Sequence, residues 1–276
     1  MDASFNINTF VDSLQKRLEP PVRDHLKNVY SALAISTLAA ALGGYIHLFT
    51  DIFEGSFLTT LLSLGLLIAL FTVQDNGKNQ HIRLGILVGF AFTTGLGMGP
   101  LLDVVVSVDP SIVLTAFMAT CVIFTCFTLS ALYADHNRWI YMGGTLMSML
   151  TTMSFLALAN IFFGSLLLFQ VHLYLGVFLM CCFVLYDTQL IIEKRRRGDK
   201  DYIRHSIDLF IDFVGIFRRL LIILTQKVGA WQLQYLNIFS RSQSSILQVE
   251  WCTVFPHLLK KVLIYLVCSL RGMKLR

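Results

Sequence analysis

Apolar residues run along this chain in blocks longer than most soluble helices need, and polar residues collect between the blocks. A helix needs about 20 mostly apolar residues to cross the hydrocarbon of a bilayer. Six blocks reach that length: roughly 29–50, 55–74, 84–106, 111–133, 139–162 and 167–192. A seventh, roughly 206–225, is interrupted by Asp208 and Asp212.

Lys and Arg give the pattern a direction. None lies between Lys27 and Lys78, between Arg83 and Arg138, or between Arg138 and Lys194. Each gap fits two spans and a tight turn. The turns hold only acids or neutrals: Asp51 and Glu54, then Asp103 and Asp109, then Phe163-Gly164-Ser165. Basic residues favour the cytoplasmic side. The pattern therefore predicts a cytosolic N-terminal segment over 1–28, three helical hairpins, and a cytosolic loop at Lys194–Arg204. A transmembrane domain over 29–226 would be followed by a basic tail over 227–276.

The seventh block has Arg204 before it and Arg218, Arg219 and Lys227 beyond its middle. Two courses fit: re-entry and return, or a crossing with snorkelling arginines. Polar backbone at membrane depth must be wrapped by protein. Either course puts this block inside a ring of the other six. The expected fold class is an all-α polytopic membrane protein, six transmembrane helices around a seventh that is central or re-entrant.

Composition agrees with the pattern. The chain of 276 residues is 55% hydrophobic and 14% charged, against about 25% charged in soluble proteins. The net charge of +5 comes from bases clustered between apolar blocks, so it reads as a topology code and not as nucleic-acid binding. The polar first 28 residues lack the apolar core of a cleavable signal, and the first span is expected to act as its own insertion signal. The six cysteines form no CxxC pair, and small apolar packing is the expected role. No Asn-x-Ser/Thr sequon and no HExxH or GxSxG motif occurs. The Gly85–Gly89 GxxxG and the cluster Gly95, Gly97, Gly99, Pro100 are expected to let helices approach, or to loosen a helix end. His47, Gln170 and His172 are expected at the non-cytoplasmic membrane boundary. Residues 227–276 mix Trp, Gln, Ser and scattered bases, the texture of an interfacial or poorly ordered segment.

The acids inside apolar blocks carry the candidate chemistry. An ionised carboxylate in hydrocarbon costs about 2.5–3.5 kcal/mol on insertion scales. Asp208 and Asp212 are one helical turn apart and share a face. Asp187 and Asp208 lie almost equally far from Gly198, the expected loop apex, so a hairpin brings all three to similar depth. If Asp187 meets Asp212, the two cannot both ionise cheaply, and the pair titrates as a unit. Such a pair is a candidate pH sensor. Deprotonated, its oxygens suit Ca²⁺. The expectation is a proton-controlled cation path lined by Asp187, Asp212 and, in a lesser role, Asp208. Asp187 and Asp212 would hold Ca²⁺ weakly, as the transported ion and not as a cofactor. The structural alternatives are that Asp187 snorkels towards Arg195–Arg197 and that Asp208 faces water near the loop.

The stretches HLKNVYSALA, RLGILVGFAFTTGLGMGP, DPSIVLTAFMATCVIFTCFTLSALYA, FVLYDTQLIIEK and DYIRHSIDLFIDF resemble the Bax inhibitor-1 (transmembrane Bax inhibitor motif) family. The resemblance runs from about Leu18 to Leu224. It implies a seven-helix fold, suppression of cell death, and a pH-sensitive Ca²⁺ leak from the endoplasmic reticulum membrane, with no enzymatic activity. It implies links to ER stress and the unfolded protein response. The partners it implies are Bcl-2-family proteins and ER stress or calcium-release proteins, besides membrane lipids, protons, and a second copy in a homo-oligomer. In the family, the acid of a YD motif on helix six pairs with an acid on helix seven. Those positions match Asp187 and Asp212, with Asp208 adjacent.

Two departures stand out. The block 55–74 has no Lys, Arg or His, so the helix-two Arg of some bacterial relatives has no counterpart there. Residues 227–276 do not resemble the short Lys-rich tail of the family, and a basic tail of this kind could bind acidic lipids or partners. Two other classes fit the acids. An intramembrane aspartyl protease also places one Asp on each of two neighbouring helices, but its Gly-x-Gly-Asp is replaced here by Leu209-Phe210-Ile211-Asp212, and its Pro-Ala-Leu motif is missing. An interaction scaffold would use the acids only to lock the helices.

Overall fold

The computed structural model describes residues 18–50, 57–73, 76–134 and 139–229. Its elements in chain order are α1 (Pro20–Phe49), α2 (Phe57–Thr72), α3 (Gln80–Gly97), α4 (Gly99–Val108) and α5 (Ser111–Tyr133). A 3₁₀ turn (Ile140–Met142), α6 (Gly143–Phe163), α7 (Leu166–Arg196) and α8 (Tyr202–Gly229) follow. Among the described residues every regular element is helical.

Local chemistry sets several of the ends. Pro20 and Pro21 open α1, where a missing N–H costs nothing. Gly164 closes α6 in the left-handed region at φ 57°, which glycine adopts without strain. Ser165 then caps α7 by accepting from the Leu168 N–H. Lys194, Arg195 and Arg196 fill the last turn of α7, the favourable sign for its C-terminal dipole.

Helices α1, α5, α6 and α7 are each long and apolar enough to cross a membrane, α3 and α4 pass only together as a pair bent by 47°, and α2, expected as a span, is apolar but shorter at 16 residues. The break falls at Met98. Pro100 cannot supply the next helical N–H and disturbs the preceding turn, so the glycine cluster does loosen a helix. It also admits close contact. A Cβ on Gly95 would run into the Ala40 backbone, and one on Gly43 into the Phe92 backbone. The GxxxG does not act this way, because a Cβ on Gly85 would meet nothing and one on Gly89 only a Leu66 methyl at 3.7 Å. The intimate α1–α3 contact therefore lies about two to three turns further along α3 than the motif suggests.

Helix α8 is the centre. It runs for 28 residues without a break, roughly 42 Å at about 1.5 Å per residue, so re-entry does not occur. It packs against α1, α3, α4, α5 and α7, while α2 lies chiefly against α3 and α6 against α7. Ile207, Leu209, Phe210, Ile216 and Leu221 are fully buried in it. The expected snorkelling arginines are not found: Arg218 and Arg219 are 2% and 4% exposed. The helix is covered on all sides at that level, so these two cations meet protein and not solvent. The molecule is an all-α polytopic membrane protein with the last described helix, α8, at its centre. The first helix begins at Pro20 and not near 29, so the end of the predicted N-terminal segment is already helical. Residues 230–276, the bulk of the predicted tail, lie outside the described residues.

Candidate functional site

The α7–α8 hairpin turns through residues 197–201, with Gly198 at φ 97°, a left-handed conformation that glycine permits. The two helices return antiparallel, and their register can be read from two glycines. A Cβ on Gly176 would strike the Arg219 guanidinium, and one on Gly215 would meet Met180 Sδ at 3.1 Å. On α8 the positions Asp208, Asp212, Gly215 and Arg219 step by four, three and four residues, a single stripe of the helix. On α7 the positions Gly176, Met180, Phe183 and Asp187 step the same way. The two stripes form one seam. Asp187 is level with the turn of α8 that carries Asp208 and Asp212, and the Cys181 thiol lies within electrostatic reach of Asp212.

All three carboxylates are buried: Asp187 is 2% exposed, Asp208 3% and Asp212 0%. Asp208 therefore does not face water, because α8 is already enclosed at that turn. Asp187 does not reach for the loop arginines either, and those are engaged elsewhere. Arg195 Nε donates to the Pro21 carbonyl at 3.3 Å, Arg197 Nε donates to Glu193 Oε1 at 2.9 Å, and Arg196 Nε stands 3.8 Å from Glu19 Oε1. Next to Asp187, Thr188 shares a buried polar junction with the Tyr30 and Thr128 hydroxyls, joining α7 to α1 and α5. Further along α8, Arg219 donates to the Gly215 carbonyl at 3.2 Å. Among the described residues no group of three or more His, Cys, Asp or Glu side chains is arranged to hold a metal ion. The seam therefore offers carboxylate oxygens in succession along two helices and not a closed cage.

A second polar group stands between this seam and the hairpin turn. His25 Nε2 of α1 and His205 Nδ1 of α8 are 2.9 Å apart, with both rings buried. His205 Nε2 lies 3.6 Å from Asp199 Oδ2. The nearby His205 ring holds the Asp199 carboxyl well below the usual carboxylate range. Arg83 of α3 donates to Asp201 Oδ2 at 2.6 Å, and Ser206 donates to the Val29 carbonyl at 3.0 Å. Sequence reading missed these pairs. The residues in them lie 118, 177 and 180 positions apart, and Arg83 stood out only as a topology marker.

Two histidines expected at the membrane boundary are also buried. His47 is 7% and His172 3% exposed, and His47 bonds Asp103 Oδ2 at 3.1 Å. The four described cysteines, Cys121, Cys126, Cys181 and Cys182, are free thiols. Cys252 and Cys268 lie outside the described residues.

A central helix carrying buried acids, enclosed by apolar membrane helices, defines a polytopic membrane protein with a polar seam in its core. The family model for "Inhibitor of apoptosis-promoting Bax1" matches residues 22–229. "Probable Bax inhibitor 1" of Paralichthys olivaceus is 51% identical over 222 residues, 80% of this chain and 94% of that protein. Bax inhibitor 1 of Bos taurus is 51% identical over 210 residues, 76% of this chain and 89% of that protein. Bax inhibitor 1 of Homo sapiens is 49% identical over 218 residues, 78% of this chain and 92% of that protein. The chain belongs to the Bax inhibitor 1 family of apoptosis inhibitors.

Proposed function

We propose that this chain is an anti-apoptotic protein of the endoplasmic reticulum membrane, with its N-terminus in the cytosol, that passes Ca²⁺ in a proton-dependent leak. One observation carries the reading: Asp187, Asp208 and Asp212 are all buried on the α7–α8 seam of a membrane bundle. Carboxylates removed from water in hydrocarbon persist where they serve an ion or proton path. Close acids share protons, so the seam's charge changes in steps as pH changes. In its deprotonated state it attracts a hard cation. Asp187 and Asp212 are the pair proposed to sense protons and to contact Ca²⁺ weakly. The shared depth of Asp208 gives it a part in the same path.

The fold supports a scaffold as the second reading, because the same seam also locks α8 to α7. In that case the partners, Bcl-2-family or calcium-release proteins, would act on the bundle surface. Ca²⁺ release from vesicles reconstituted with the full chain separates the two at two pH values. Release that differs between the pH values, with the difference lost in Asp187→Asn and Asp212→Asn, supports the path. No release at either pH eliminates it and leaves the scaffold.

A further inference from the structure

The contact between His25 and His205 has a proton count built into it. At 2.9 Å between two ring nitrogens, one nitrogen donates and the other accepts. Both the neutral pair and the singly charged pair can satisfy this, and in each either ring can be the donor; one arrangement of each kind shows how. With both imidazoles neutral, His25 Nε2–H donates to His205 Nδ1. With His205 cationic, its Nδ1–H donates to His25 Nε2, and its Nε2–H faces the Asp199 carboxylate 3.6 Å away. With both imidazoles cationic, each facing nitrogen carries a hydrogen and neither can accept. The contact therefore holds zero or one added proton and cannot hold two.

We infer that the His25–His205 contact is a one-proton joint between α1 and α8, closed while at most one of its imidazoles is charged and parted when both are. Burial and the neighbouring cation oppose a second proton on the pair, while nearby acids act the other way. Asp199 and Asp201 on the loop face the pair with negative charge, and Arg195 at the end of α7 faces it with positive charge. Lys194 also acts on Asp199, and the Arg83 guanidinium of α3 takes up Asp201. Asp208 follows one turn along α8 and is buried. The two rings are themselves enclosed, with His205 0% and His25 5% exposed, so water cannot screen a second positive charge.

Parting the joint loosens α1 from α8 where Ser206 also reaches the Val29 carbonyl. That point lies between the hairpin turn and the acid seam. The inference rests on the histidine geometry alone and holds whether or not the chain passes Ca²⁺.

The linkage has a definite sign. The folded state refuses the second proton, which the unfolded chain accepts near the ordinary histidine value of about 6.5. Stability from the joint is thus present above that pH and is lost as pH falls below it. The folded-to-unfolded ratio drops by up to about tenfold per pH unit for one proton. Glutamine offers both a donor and an acceptor, so His205→Gln and His25→Gln can keep the contact in either charge state of the remaining ring.

The test measures unfolding of the full chain in phosphatidylcholine nanodiscs between pH 7.5 and 5, with ¹⁵N-histidine spectra over the same range. The wild type is expected to lose stability more steeply than either Gln variant, and the double variant to match the singles. Its spectrum is expected to retain one unprotonated facing nitrogen in the folded protein well below pH 6. Equal slopes in wild type and both variants would overturn the joint, as would two fully protonated facing imidazoles in folded protein at pH 5. A wild-type slope that changes on adding EDTA would show a metal between the rings and also overturn it. If neither variant folds, the wild-type spectrum alone decides.

Discussion

At the end where α7 turns into α8, side chains cross between helices. Arg83 reaches Asp201, His25 meets His205, and Arg195 reaches the Pro21 carbonyl. At the opposite end of α1 the contacts are mostly backbone on backbone. Gly95 lies on Ala40, Gly43 lies on Phe92, and Gly99 lies on the His47 ring, with His47–Asp103 as a polar tie at 3.1 Å. Charged side chains tolerate small movements because they can re-aim, and water competes for them where they meet it. Main chain against main chain has no such freedom. The first end is therefore adjustable, while the second is a fixed pivot.

The sharpest way to break this contrast is to put a side chain into the pivot. Gly95→Val drives a branched side chain into the Ala40 backbone, and neither helix has a rotamer change that makes room. Overpacking of this kind costs at least about 3 kcal/mol. Denaturation of the purified chain in detergent should show a large loss of folded protein. Gly85→Val, with nothing near its Cβ, should leave the same curve almost unmoved. Equal damage from the two would mean that the close contact is not where the fold places it.

The adjustable end predicts a smaller effect. Arg83 is buried and its partner Asp201 is partly open, with side chains 3% and 15% exposed. Removing one member of a fully buried pair costs about 3–5 kcal/mol. Water at Asp201 offsets part of that, so Arg83→Ala should cost about 2 kcal/mol. The double variant with Asp201→Asn should recover part of the loss. A double-mutant cycle with no coupling would show that the two act separately.

At the level of Ser206, Gln189 of α7 holds the turn before α6. Its Oε1 accepts from the Trp139 N–H at 2.8 Å, and its Nε2 donates to the Ala131 carbonyl at 3.3 Å. Gln189→Leu removes both bonds and leaves buried backbone groups to find water, a loss of about 1 kcal/mol. Unfolding at neutral pH measures it. A Gln189→Glu chain keeps the acceptor and loses the donor, and should fall between.

How much of this could be read from the sequence divides along a physical line. Signals carried by one segment were legible: the apolar blocks as helices, and Asp187 and Asp212 as acids enclosed within them. The loosened helix at Gly97–Pro100 was legible for the same reason, since proline acts on its own turn. What failed depended on another segment. Whether Arg218 and Arg219 reach water depends on how completely other helices cover α8. The depth of Asp208 was legible, but its enclosure was not. The GxxxG looked like a contact because its spacing fits one, yet the partner helix meets Gly95. His25 and His205 carry no mutual mark at 180 residues' separation.

The smallest effect lies at the water-exposed edge of the adjustable end. Asp199 interacts with His205, and this holds its carboxyl well below the usual range. Its side chain is 42% exposed, so solvent screening limits the benefit to well under about 1 kcal/mol. The sign is that of a depressed carboxyl. Its contribution is present above the ordinary value of about 3.9 and disappears as pH falls through the lower folded value. Asp199→Asn should therefore destabilise the chain slightly at pH 7, and its unfolding curve should converge with wild type in strong acid. Convergence distinguishes a charge interaction from packing, because a packing loss would persist at every pH. A deficit in the Asp199→Asn chain that stays constant into acid would remove Asp199 from the polar end and reduce that end to Arg83–Asp201 and the histidine contact.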